Sequence, residues 1–322
     1  MKPSYLRLWE TGVLPERTNR VRDLLVPCRL CPRQCRVDRL SGQTGFCGQG
    51  ARARVAKALP HFGEEPPLTG ERGAGTVFFS GCALRCLYCQ NFQISQEGLG
   101  EEVSAEVLAD TFLDLQRQGC HNLDLVSPTP HWPFIFEALE LAIPRGLSLP
   151  VVYNTHGYDS EQALECLRDR VDIYLPDMKY ANNEIARELS GVEEYRQANR
   201  SALRAMFAQV GHLVEDPDSG LARRGLLVRI LVLPGRLEGA KASLVYLKSR
   251  FSTELAVSLM AQYAPLHMAL SRPPLDRTLE AREYQEAVDS ALELGFRRVW
   301  VQDLRAALTG VPDFSAETPF VF

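Results

Sequence analysis

Three cysteines stand at 82, 86 and 89 in the run CALRCLYCQN, directly after the β-branched and aromatic run Thr76–Ser80. Three thiolates so close on a tight loop can grip one face of an iron–sulfur cluster, since soft sulfur ligands suit iron–sulfur centres or zinc. A four-iron cluster normally takes four protein thiolates, so a trio leaves one iron open. An open metal position is where a small molecule can be activated. Four more cysteines, at 28, 31, 35 and 47, lie among the turn formers Pro27, Pro32, Gly42, Gly45 and Gly48. Four thiolates close a structural zinc site or bind a second iron–sulfur cluster. This run has one C-x2-C knuckle and two wider gaps, and both metals stay open. Cys120 and Cys166 fall within or beside apolar elements and read as buried thiols.

The rest of the sequence sets the frame for these thiols. The chain has 322 residues, 45% hydrophobic and 24% charged, which is ordinary globular usage and excludes a disordered or fibrous chain. The most apolar segment, Leu226 to Leu233, is interrupted by Arg229, and the opening MKPSYLRLWETG has no apolar signal core. A cytoplasmic location with no membrane partner is the expectation, and in that compartment clustered thiols bind metal or do chemistry more often than they form disulfides. Residues 1–60 hold 12 Lys and Arg against 4 Asp and Glu, a net of +8, while the whole chain is −4. The favoured reading is a basic surface beside an anionic thiolate site, with no nucleic-acid partner.

From residue 76 onward, short apolar runs alternate with helix-patterned segments. Strands are expected at 76–80, 122–126, 149–154, 172–175, 226–233, 254–260 and 298–301. Helices are expected at 104–119, 133–143, 160–167, 193–210, 240–250 and 279–294, the first two with Ser104 and Pro133 at their starts. Such alternation builds right-handed βαβ units and a parallel sheet. The predicted fold is α/β, a partial (β/α)6-type barrel at 71–305, with a doubly wound open sheet as the alternative. A small Cys-rich N-terminal metal-binding extension occupies 1–70, and a C-terminal tail 306–322. Chemistry in such folds gathers at the carboxyl ends of the strands. Those ends read Ser80-Gly81-Cys82, Ser127-Pro128-Thr129, Asn154-Thr155-His156, Asp177-Met178-Lys179, Pro234-Gly235 and Gln262-Tyr263. His156 is the one histidine placed at such an end, with a structural role favoured over a catalytic one. Trp132, beside Pro130 and Pro133, reads as a packed aromatic.

The run CALRCLYCQN resembles the cluster-binding loop of the radical S-adenosylmethionine (SAM) superfamily, whose pattern is C-x3-C-x-aromatic-C. The chain is similar to the branch related to pyruvate formate-lyase activating enzymes, through PHFGEEPPLTG (60–70), GCHNLDLVSPTP (119–130), VYNTHGYDS (152–160), YLPDMKY (174–180) and GLLVRILVLPG (225–235). The resemblance implies that Cys82, Cys86 and Cys89 hold a [4Fe–4S] cluster whose fourth iron is chelated by SAM. Reductive cleavage would then give methionine and a 5′-deoxyadenosyl radical, which abstracts hydrogen from a protein or small molecule. Activation of a glycyl-radical enzyme is one version of that oxidoreductase activity, with reduced ferredoxin or flavodoxin as electron donor.

The resemblance also carries over cofactor-binding positions. Ser127 and Thr129 replace members of the family's Gly-Gly-Glu tripeptide, which receives the SAM amine. Asn154, Thr155 and Asp177 resemble its cation and carboxylate site, although Asn154 stands where an aspartate is usual, which weakens the case for a monovalent cation. Lys179 suits a carboxylate as a point charge. Backbone at Leu233 would pair with adenine, and Tyr88 would lie against it. No residue is assigned a catalytic role. The competing reading, from a different class, is an iron–sulfur electron-transfer or redox-sensing protein without SAM turnover.

Overall fold

Seven parallel strands run side by side in the order in which the chain makes them, and that order decides the architecture. The computed structural model describes residues 2–305 and 311–320. Within the C-terminal tail expected at 306–322, residues 306–310 and 321–322 lie outside the described residues. The strands are β1 (Ala53–His61), β2 (Ala74–Phe79), β3 (Glu101–Val103), β4 (Leu123–Val126), β5 (Val151–Thr155), β6 (Ile173–Pro176), β7 (Val214–Glu215), β8 (Ala222–Leu231), β9 (Ala256–Met260) and β10 (Val299–Val301). The helices are α1 (Ser4–Glu10), α2 (Leu14–Arg22), α3 (Pro66–Thr69), α4 (Phe92–Ser95), α5 (Ala105–Arg117), α6 (Trp132–Ala142), α7 (Glu161–Leu167), α8 (Asn183–Ser190), α9 (Tyr195–Val210), α10 (Leu237–Phe251) and α11 (Ala281–Glu293).

The sheet runs β10-β9-β8-β6-β5-β4-β2-β1-β3, parallel from β10 to β2 and antiparallel where β1 meets β2 and β3. Each parallel step carries at least one helical crossover. The order never reverses, so there is no switch point, and the doubly wound alternative is excluded. The result is an unclosed, barrel-like α/β sheet with a cysteine-rich N-terminal segment, as expected. β4, β5, β6 and β9 are buried along their whole length, because helices cover one face and the barrel interior the other. Ser104 and Ser160 cap α5 and α7 by accepting from the backbone N–H groups of Val107 and Ala163.

The structure departs from the sequence pattern in two places. The helical stretch read at 193–210 begins at Tyr195, and a separate helix, α8, precedes it, capped by the Asn182 side chain and ended by Gly191 in the left-handed region. Residues 1–70 also contain β1, which extends the sheet, so the cysteine-rich segment and the barrel share a strand pairing. α1 and α2 close the amino ends of the strands: Ser4 N–H donates to Asp172 just before β6 at 2.8 Å, and Tyr5 Oη to the Leu149 carbonyl just before β5 at 2.9 Å. The cysteine loop then climbs to the carboxyl ends. Trp132 packs on Phe136 and Tyr153 with ring centroids 5.0 and 4.9 Å away, as a core aromatic. Cys120 is buried, whereas Cys166 is only half-buried at the edge of the core.

Candidate functional site

A cavity of about 220 Å³ opens at the carboxyl ends of the parallel strands. Every one of those strands contributes to it. Cys82, Cys86, Tyr88 and Cys89 come from the loop after β2, Ser127 from β4, Asn154, Thr155 and His156 from β5, and Asp177 and Lys179 from β6. Arg229 and Leu231 arrive from β8, Gln262 from β9 and Gln302 from β10, while Glu64 enters from the loop after β1. At the C-terminal side, Phe320 lines the same cavity and packs with Phe314 on Phe78.

The trio loop is tied down locally. Gly81 and Arg85 both take positive φ, 84° and 50°, and Cys89 N–H donates to the Cys86 carbonyl at 3.0 Å. Each sulfur has a polar neighbour. Leu84 N–H donates to Cys82 Sγ at 3.4 Å, Ser190 Oγ to Cys86 Sγ at 3.0 Å, and Ser95 Oγ lies 3.2 Å from Cys89 Sγ. Burial, reinforced by Cys86 and Cys89, pushes the Cys82 thiol up to about 12. Burial raises the Cys89 thiol as well, so these two sulfurs ionise readily only beside a cation.

Among the described residues no group of three or more His, Cys, Asp or Glu side chains is arranged to hold a single metal ion. A lone tetrahedral ion with bonds of about 2.3 Å would need its sulfurs about 3.8 Å apart. A cubane spreads its thiolates wider. The trio, lining a roomy cavity with hydrogen-bond donors at its sulfurs, fits a cluster better than an ion.

Around the trio the other expected residues divide. Tyr88, Ser127, Asn154, Thr155, Asp177 and Lys179 face the cavity. Ser127 sits at φ 56°, a left-handed conformation that costs about 1 kcal/mol for a serine, and its N–H donates to the Asn154 carbonyl at 2.9 Å. Lys179 Nζ lies 2.6 Å from Asp177 Oδ2. Burial works against its charge, but Asp177 and Tyr88 outweigh it and hold the ammonium well above the usual lysine range. Thr129 does not reach the cavity. It lies in a short 3₁₀ turn, and its hydroxyl donates to Asp159 Oδ1 at 2.8 Å within a buried set with Tyr153 and Thr155. Leu233 lines an adjoining cavity of about 450 Å³, which shares Lys179 and Leu231 with the first.

His156 adds a donor. Its Nδ1 accepts from Tyr158 N–H at 3.0 Å, and burial pushes the ring below its ordinary value, so the imidazole is neutral with its proton on Nε2. Nε2 is buried, lies on a cavity-lining residue and has no hydrogen-bond partner among the described residues.

The sequence reading missed a buried charge cluster. Arg229 binds Glu65 through Nε and Nη2 at 2.8 and 2.6 Å, pairs with Glu64, and reaches Asn154 Oδ1 at 3.4 Å. Asn154 Nδ2 in turn lies 3.4 Å from Asp124 Oδ2, which also accepts from Thr76. Burial and the Glu64 charge hold the Asp124 carboxyl well above the usual range, while Arg229 keeps Glu65 low despite burial. A signal was present: two adjacent glutamates in PHFGEEPPLTG, and an arginine breaking the most apolar strand.

The quartet lies beneath the trio loop. Cys28, Cys31, Cys35 and Cys47 line a small cavity of about 20 Å³ together with Arg33, Arg39, Phe46, Ala83 and Thr129.

A model of the Radical SAM superfamily matches residues 76–213, which run from β2 past β6 and include the trio. An uncharacterized protein of Methanocaldococcus jannaschii is 28% identical over 273 residues, covering 82% of this chain and 74% of that one. A second from the same organism is 26% identical over 167 residues, covering 45% and 47%. Among solved structures, native anSMEcpe with bound AdoMet aligns with a TM-score of 0.49 at 14% identity, covering 69% of this chain and 61% of that one. Streptococcus suis SuiB bound to S-adenosylmethionine aligns at 0.47 and 12%, covering 70% and 49%. A domain of the pyruvate-formate lyase-activating enzyme from Bacteroides vulgatus aligns at 0.34 and 14%, covering 62% and 91%. The chain thus spans less than two thirds of the first two structures.

Proposed function

We propose that this chain, whose residues 76–213 match a model of the Radical SAM superfamily, cleaves S-adenosylmethionine reductively and takes hydrogen from a protein or small-molecule acceptor. One observation carries the reading: three cysteines share a cavity with polar groups from every parallel strand. A redox sensor without turnover has no use for that second set of groups.

In this reading Cys82, Cys86 and Cys89 would hold a [4Fe–4S] cluster, with no fourth cysteine to close it against SAM. When bound, the cluster would supply the one electron for reductive cleavage of SAM to methionine and a 5′-deoxyadenosyl radical, which would take hydrogen from the acceptor. The chain's own residues position and shield. Lys179, kept cationic by Asp177, offers a point charge to a carboxylate. His156 offers a neutral N–H that no group among the described residues accepts. Tyr88, buried against Tyr180 and Tyr263, forms a rigid wall beside the trio. Reduced ferredoxin or flavodoxin serves as electron donor. The acceptor is a glycyl-radical enzyme in the version favoured by the motifs shared with the activating-enzyme branch. No helix among the described residues is long and apolar enough to cross a membrane.

The test is anaerobic reconstitution with iron and sulfide, followed by dithionite and SAM. Chromatography should reveal 5′-deoxyadenosine and methionine. Equal production after Cys82→Ala, Cys86→Ala and Cys89→Ala together overturns the reading.

A further inference from the structure

The loop that carries the trio has two faces. Cys82, Cys86, Tyr88 and Cys89 line the large cavity, whereas Ala83 lines the small void shared with the N-terminal segment. Arg85, between the first two cysteines, is exposed. Its guanidinium lies over the Phe46 ring, 5.6 Å from the centroid, and donates to the carbonyls of Phe46 (3.4 Å) and Gln96 (3.2 Å). Arg33 lies over the same ring at 3.5 Å. Its Nε donates to the Ala83 carbonyl, and its Nη2 to those of Ser190 and Gly191 at 3.1 and 3.3 Å. Phe46 stays 39% exposed. Two guanidiniums and an aromatic ring thus form one surface patch, fixed to the backbone of the trio loop.

The patch carries positive charge that the chain does not neutralise. From Cys28 to Arg52 there are five arginines against one acid, Asp38, whose carboxylate accepts from Ser41 N–H at 3.0 Å. Among the described residues, none of these five nor Arg85 forms an ion pair. Arg39 answers the thiols: it is 1% exposed, and its charge opposes the upward push of burial on Cys47. Arg36 and Arg52 are exposed, as Arg85 is. Fixed, unpaired guanidiniums beside an exposed aromatic ring suit a protein partner, because arginine and aromatic anchors dominate interface energy and opposite charge steers the encounter.

The partner's chemistry follows from what lies behind the patch. Reductive cleavage of SAM consumes one electron from outside, and the inference rests on that reading. SAM would fill the cavity face of the trio, which leaves the outer face of the loop to a donor. We propose that Arg33, Phe46 and Arg85 form the docking surface for an acidic one-electron carrier protein. In the step it serves, the carrier is oxidised by one electron and the trio cluster is reduced by one. No bond breaks and no proton moves.

Oxidised flavodoxin is the probe, titrated calorimetrically at low ionic strength into the reconstituted chain. Arg33→Glu/Arg85→Glu should weaken binding about tenfold or more, while Arg33→Lys/Arg85→Lys, which keeps both charges, should stay within about threefold. No binding, or equal affinity in all three proteins, overturns the proposal. Without SAM, bleaching of the cluster absorbance by reduced flavodoxin should slow in the same order, and bleaching by dithionite should not. Slowing with both reductants marks a disturbed loop, and the unaltered chain then decides. Its affinity for flavodoxin should fall about tenfold or more from low to physiological ionic strength, and a salt-independent affinity overturns the proposal. A chain that binds flavodoxin through this patch yet makes no 5′-deoxyadenosine overturns the SAM reading and not the docking surface.

Discussion

Ser190 donates its hydroxyl hydrogen to Cys86 Sγ at 3.0 Å, from the last residue of α8 to the middle cysteine of the trio. Tyr180 Oη lies 2.6 Å from the same hydroxyl, so its own hydrogen points to Ser190 and fixes the rotor. A donor aimed at a cluster thiolate stabilises the more negative, reduced state and raises the potential. Ser190→Ala should therefore lower the midpoint potential of the trio cluster by tens of millivolts, with iron content unchanged. A redox titration followed by electron paramagnetic resonance reads this, and an unshifted midpoint refutes it.

Arg229 neutralises two buried glutamates across more than 160 residues of chain. Truncation to Met leaves Glu64 and Glu65 buried without a cation, which should cost about 3–5 kcal/mol in anaerobic urea unfolding. Arg229→Lys keeps the charge but loses the two-pronged grip on Glu65, and should fall between. A loss under about 1 kcal/mol for Arg229→Met would show that water or repacking replaces the pair.

Asp124 brings a pH dependence. Its carboxyl is held above the ordinary value, by burial first and the Glu64 charge second, so the folded state binds its proton more tightly than the unfolded chain. That contribution is fully present below the ordinary aspartate range and is lost as pH rises through the raised value. Asp124→Asn removes the titration while keeping the shape. The melting temperature of the variant should gain on that of the unaltered chain as pH rises from acidic to alkaline. Parallel curves over that range would rule the mechanism out.

Gly157 links fold to site. It takes φ 69°, and a Cβ there would run into Asn199 Nδ2 and the Asp177 carbonyl. Asn199 Nδ2 donates to both Gly157 O (3.1 Å) and Asp177 O (2.9 Å), so displacing it moves the segment that carries Asp177 and Lys179. Gly157→Ala should cost about 2 kcal/mol or more and weaken SAM binding at least tenfold, measured by calorimetry on the reconstituted protein. Full affinity with reduced stability would detach the glycine from the site.

The parallel strands could be read from the sequence because they are buried on both faces: runs such as LDLV and VVYNT leave little doubt about burial, and the loops after them follow by topology. The trio was legible for the same reason, since its spacing is local and its strand is apolar. β1 was not, because ARVAKALPH is half exposed and carries Pro60 near its end. The Arg229 cluster joins residues from the loop after β1 and from β8, a pairing that no local pattern encodes. Thr129 was placed at a strand end correctly, yet a single 3₁₀ turn points its hydroxyl at Asp159. Side-chain direction at a loop is set by such turns, and residue type alone does not reveal it.

β1 hydrogen-bonds to β2 on one side and β3 on the other. Removing the first 61 residues would strip the barrel's opening strand of its neighbour and leave a bare, adhesive edge. The segment that carries the quartet is thus anchored to the barrel through the strand that follows it, and any truncation meant to remove the four cysteines must stop short of Ala53 to keep that edge covered.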